Sequence, residues 1–143
     1  MSKALGPLIR LRRWRLDEEK RQLAAAQQAV QRLEDALSDL QAEIEAEQAH
    51  ARDDPVTAGA AYAAYARQTQ TRRSSLEDEL AAAEETLARQ RDEVRTRWRE
   101  LRTVEMVEEE RKRRQRAVEE RREQLVLDEN AQVSWLRNRP GPA

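Results

Sequence analysis

Leu16, Leu23, Val30, Leu37 and Ile44 stand seven residues apart without a slip, and Ile9 and Ala51 extend the series at its two ends. Ala26, Leu33 and Leu40 follow members of that stripe at three residues' distance. Apolar positions alternating three and four apart mark the a/d seam of a coiled-coil helix, with Glu, Lys and Arg around it free to form i,i+4 pairs. The pattern predicts a first helix over about residues 7–52. Pro7 suits its first helical position, directly after Gly6.

The rhythm breaks at HARDDPVTAGAA, His50 to Ala61. Asp54 before Pro55 reads as an N-cap followed by a proline in the first turn, so a short turn is expected over 53–56. The rhythm then resumes, with Leu80, Leu87, Val94 and Leu101 again spaced by seven. Leu76, Ala83 and Val104 flank that stripe, and Val118 and Leu125 continue the flanking position past an interruption at Arg111. Ser74–Ser75 with Glu77 and Asp78 offers a capping-box pattern, but the residues on either side favour a continuous helix. A second helix is therefore expected over about 56–137, ahead of a short tail, 138–143, marked by Asn138, Pro140 and Gly141.

Two heptad helices joined by a tight turn fold back on each other. Ile9 with Leu101, Leu16 with Val94, Leu23 with Leu87 and Val30 with Leu80 are all symmetric about residue 55, which is Pro55 in the break. The expected fold is all-α: two long helices in an antiparallel coiled-coil hairpin, forming one domain. In this register the first helix is used up by about Arg102, and the second overhangs by about 34 residues, or ~50 Å. The run Glu108–Glu123 lies in that overhang. Thirteen of its sixteen residues are charged, and only Ala117 and Val118 are apolar. Without a partner helix it needs no apolar face, and many weak i,i+4 pairs can hold it as a solvated helix.

Composition supports this picture. Charged residues make up 38% of the 143, aromatics 3%, and there is no Phe. Such a chain cannot fill a thick core, but it suits long helices. The net charge of −1 gives no general attraction to nucleic acid, and none is expected as a partner. The absence of Cys removes thiolate zinc sites and cysteine nucleophiles. No apolar run is long enough to cross a membrane, and no signal-peptide pattern opens the chain, so a cytoplasmic protein is expected.

Candidate chemistry is sparse. Carboxylate pairs are numerous, as on any charged helix, and none stands out as a general acid and base. His50 is the only histidine and the three glycines are isolated, so neither a histidine metal cluster nor a phosphate loop can be built. No catalytic residue, metal site or cofactor is expected. Three stretches point to contacts instead. IRLRRWR, Ile9 to Arg15, sets Arg10, Arg12, Arg13 and Arg15 around Trp14. It could bind a phosphate backbone or an anionic membrane surface, but the reading favoured is that Ile9 and Leu16 face the hairpin while the arginines are solvated. Tyr62 and Tyr65, three apart in an alanine-rich patch, share a helix face and are either core or a partner anchor. Beyond the charged run, Leu125, Val126, Leu127, Val133, Trp135 and Leu136 have no first helix beside them, which suggests an external partner or a second copy of the chain.

Over nearly its whole length the chain resembles the flagellar export protein FliJ family. The resemblance is carried by LIRLRRWRLDEEKRQLA at the start of the first helix, by AYAAYARQ after the turn, and by LDEN followed by AQ before a basic tail. It implies a non-enzymatic coiled-coil component of the flagellar type III export apparatus, similar to the stalk of a rotary ATPase. The implied partners are the hexameric export ATPase FliI, the cytoplasmic domain of the export-gate protein FlhA, and export chaperones. The implied location is the cytoplasmic side of the inner membrane at the flagellar base, with peripheral membrane association. Carried onto this chain, the gate-contacting tip falls on Tyr62 and Tyr65. Leu125, Trp135 and Leu136 remain as the anchors of the overhang. The alternative is a structural coiled-coil spacer or self-associating adaptor with no role in secretion.

Overall fold

A computed structural model describes residues 2–139 and 141, with side chains from Leu5 onward. Helix α1 spans Ser2–Asp53, 52 residues, and helix α2 spans Ala58–Asn138, 81 residues. At 1.5 Å per residue these rods are about 78 and 120 Å long. The helices pack antiparallel. Polar bridges between them join residues 92 apart in sequence at Arg13–Glu105, 71 apart at Gln90–Glu19, and 29 apart at Arg72–Glu43 near the turn. The fold is the all-α hairpin that the heptad stripes predict.

The seam is one side chain thick. Leu16, Ala26, Val30 and Leu40 of α1 and Leu87, Leu101 and Val104 of α2 are buried. Ala26, Val30 and Leu87 form a cluster on which Leu23, Leu80 and Ala83 pack, which places the expected pairs Leu23–Leu87 and Val30–Leu80 together. Other stripe members, including Leu33, Leu37, Ile44 and Val94, are only half-buried, because two helices leave the flanks of their seam open to water. Thr69 is buried as well. Its hydroxyl donates to the Tyr65 and Ala66 carbonyls at 3.0 and 3.1 Å, so its polar atom is satisfied within its own helix.

The turn is nearly helical. The Asp54 amide donates to the His50 carbonyl at 3.1 Å, and the Ala58 amide to the Asp54 carbonyl at 3.0 Å. The Asp54 carboxylate accepts from the Thr57 amide at 3.4 Å, which is the reach of an N-cap to the third residue after it. Regular helix resumes only at Ala58, since Pro55 contributes no amide and three turn residues intervene. From Ala58, α2 runs through Ser74–Ser75 without a break.

Two expectations change. Helix α1 begins at Ser2 rather than near residue 7, so Pro7 lies inside it. Only the first few amides of a helix lack acceptors, so a proline just past them removes little of the ladder. The extra turns of α1 cover more of α2 than expected. Val104 is buried, and Glu108, Glu110 and Arg111 are half-covered. The bare part of α2 therefore runs from Lys112 to Asn138, ~40 Å of helix, and every residue in it is exposed.

Candidate functional site

The predicted contact residues lie in two places. Tyr62 and Tyr65 sit on the first turns of α2, where the chain has just reversed against the end of α1. Both are half-buried, with ring centroids 6.1 Å apart and planes at 41°. Glu47, His50, Ala58 and Ala61 join them in walling a shallow cleft of about 330 Å³. A second cleft of about 340 Å³ lies on the other side of Tyr65, between Glu43, Gln68, Thr69 and Arg72. The Tyr65 hydroxyl is enclosed between them and hydrogen-bonds to nothing among the described residues. Burial, followed by the nearby Glu43 and Glu47 carboxylates, raises its pKa above 10.0. The pair is thus half-covered beside the end of α1, neither fully enclosed nor fully exposed.

Leu125, Trp135 and Leu136 lie on the bare end of α2. All three are exposed, Trp135 at 63%, and Val126, Leu127 and Val133 are exposed beside them. At 100° per residue, Leu125, Val126, Val133 and Leu136 fall within about 100° of one another, while Leu127 and Trp135 project outside that arc. The end is therefore apolar on more than one side. The Arg139 guanidinium lies 5.5 Å from the Trp135 ring centroid, covering part of it with a cation–π contact. About 110 Å of continuous helix separates Tyr62 from Trp135, so the tip and the bare end are separate contact surfaces.

Near the open end of the hairpin the structure departs from the sequence reading. Arg12 is not simply solvated. It reaches across to Glu100 at 3.7 Å, and Arg97 reaches the same carboxylate oxygen at 3.2 Å. Arg13 bridges to Glu105 at 3.3 Å. Ile9 and Leu16 face the hairpin as expected, whereas Trp14 is exposed. At the foot of the bare segment, Arg111 donates to both Glu108 oxygens at 3.1 and 2.9 Å, and the Glu108 side chain is only 13% exposed. That two-pronged hydrogen bond holds the Glu108 pKa below 4.5. Sequence reasoning missed the seam roles of Gln90, Arg97, Glu108 and Arg111. The signal was present, because Gln90 and Arg97 continue the seven-residue spacing from Ala83 to Val104.

Among the described residues no group of His, Cys, Asp and Glu could hold a metal ion, and no helix is long and apolar enough to cross a membrane. The arrangement offers three surfaces: a polar shaft, an aromatic tip and an apolar end. No curated protein and no solved structure gave a match. The sequence model described as "Flagellar FliJ protein" matches residues 1–140, nearly the whole hairpin including its bare end. The chain belongs to the flagellar FliJ protein family, and is with it a component of the flagellar export apparatus.

Proposed function

We propose that the chain is a non-enzymatic, stalk-like coupler and chaperone escort between the export ATPase ring and the export gate. The observation that carries this reading is the bare end of α2, where six large apolar side chains stand exposed on a helix that α1 does not reach. Exposed apolar surface of this kind marks a protein contact. Its spread around the helix suits a partner that surrounds it, such as the central opening of the ATPase hexamer FliI. The dense, mixed charges below it favour many weak and exchangeable contacts over one tight lock. The tip cleft beside Tyr62 and Tyr65 is the surface offered to the cytoplasmic domain of the gate protein FlhA. In this reading the protein works on the cytoplasmic face of the inner membrane at the flagellar base, held there by its partners.

The test is co-sedimentation with the ATPase hexamer. Deleting residues 124–143 should leave the thermal unfolding of the hairpin unchanged and abolish association. Full binding by the shortened chain would overturn the reading. A self-associating adaptor is less well supported. The heptad lines of the bare segment carry Glu108, Gln115, Arg122 and Glu129 on one side of the seam, and Arg111 and Gln132 beside Val118 and Leu125 on the other. Such lines make a poor seam for a second copy.

A further inference from the structure

The two apolar stripes cannot by themselves choose how the helices align. Both repeat every seven residues, so sliding α2 by one heptad re-pairs Leu16 with Leu101, Leu23 with Val94 and Val30 with Leu87, apolar against apolar along the middle of the hairpin. The alternating layers are different. Midway along the hairpin such a layer is apolar, as at Ala26 with Ala83. In the open half two successive layers are polar. The Gln90 side-chain amide donates to the Glu19 carbonyl at 3.1 Å and also bonds the Glu19 carboxylate. One heptad further on, Arg12 and Arg97 share one oxygen of Glu100. These two arginines are about 70% covered, and the Nε atom of each is enclosed with no acceptor among the described residues.

We propose that these two layers are a register lock, kept at a cost in stability. A covered Arg–Glu–Arg set repays its desolvation poorly, and aliphatic side chains in its place are often more stable. What it adds is discrimination. Sliding α2 one heptad in one direction sets Arg12 against Val104; sliding it the other way sets Glu19 against Ala83. Either shift leaves a charged group facing an aliphatic wall. The consequence is a fixed boundary: α1 always ends against the same residues of α2, so the bare segment keeps a constant length.

The chain has no cysteine, so introduced pairs report the register cleanly. Ala26→Cys with Ala83→Cys reads the register of the structure. Leu33→Cys with Ala83→Cys and Ala26→Cys with Leu76→Cys read the two shifted registers. In the structure the members of each shifted pair stand about one heptad, ~10 Å, out of step along the axis, beyond disulfide reach. Each pair is oxidised in the otherwise unchanged chain and in a variant carrying Arg12→Leu, Glu19→Leu, Gln90→Leu and Arg97→Leu, with Glu100→Gln so that no covered charge is left unpaired. The unchanged chain should close only Ala26–Ala83. The four-leucine variant should melt higher by about 5 °C and close a shifted pair in roughly one molecule in ten or more. Glu19→Ala with Gln90→Ala is the milder variant should the four leucines prevent folding, and it should also close a shifted pair. Closure of Ala26–Ala83 alone in the leucine variant, or in the milder variant where the leucines prevent folding, overturns the proposal. So does closure of a shifted pair in the unchanged chain.

Discussion

The hairpin's stability should depend on a few side chains, and Leu40 tests this most sharply. It is 1% exposed, the most enclosed large side chain among the described residues. Leu40→Ala removes three carbons from the seam, worth about 2.4 kcal/mol at ~0.8 kcal/mol per buried carbon group. A residual cavity adds to that, but the flanks of a two-helix seam can close in, so the total should stay near the low end for such changes, about 2.5–3.5 kcal/mol. For a chain of this size that lowers Tm by roughly 8–12 °C. Leu127→Ala makes the same chemical change at a side chain 62% exposed on the bare segment, and should shift stability by less than about 0.5 kcal/mol. Helical circular dichroism followed through heating reads both. The main cooperative step is the one to compare, because the bare segment loses helicity earlier and the whole curve is not two-state. A Leu40→Ala protein melting within about 2 °C of its parent would refute the seam described here.

Hydrogen exchange should divide α2 near residue 111: amides of the bare segment, residues 112–138, should exchange at least about a hundredfold faster than those of the seam. Equal protection along α2 would mean that another copy covers the bare end. Replacing Glu108 by Gln should cost stability at neutral pH. The folded pKa of Glu108 is depressed, so the wild-type advantage should hold above about pH 4.5 and fade as pH falls through the lowered value. An advantage unchanged down to pH 2 would dissociate it from the Arg111 pair. Tyr62→Ala with Tyr65→Ala should leave most helicity intact, lower Tm modestly, and weaken binding to the gate protein's soluble domain. Collapse of the hairpin instead would assign the pair to the core.

The sequence and the structure agree where the physics is periodic and local. Seven-residue spacing in both helices, with Asp54–Pro55 between them, leaves little choice but a hairpin turning near residue 55. The limits of α1 were harder to read, because Pro7 is a strong start signal and yet is tolerated a few residues inside a helix. The polar layers are invisible to a pattern of apolar residues. Arg12, Glu19, Gln90 and Arg97 sit on the heptad lines, but their burial depends on partners 71 to 88 residues away. The spacing of three puts Tyr62 and Tyr65 side by side, and their rings lie 6.1 Å apart. Their half-covered state depends on how α1 ends beside Glu43 and Glu47, which no local pattern states.

The bare segment raises a last question of energy. An isolated 27-residue helix with so few apolar contacts would be marginal in water, because its first turn costs more than it returns. Here that cost is already met: α2 enters the bare segment as an established helix, and each further residue only propagates it. Intrahelical pairs at the foot support the first turns, with Glu108 joined to Arg111 and Lys112, and Glu110 to Arg113 and Arg114. Each such pair is worth only a few tenths of a kcal/mol. Helicity should therefore decline gradually toward Asn138 in the free protein. The apolar residues lie in that fraying end, so a partner that grips them must also order the helix beneath them. Docking would then cost some conformational entropy and stay reversible, as the proposed coupling role requires.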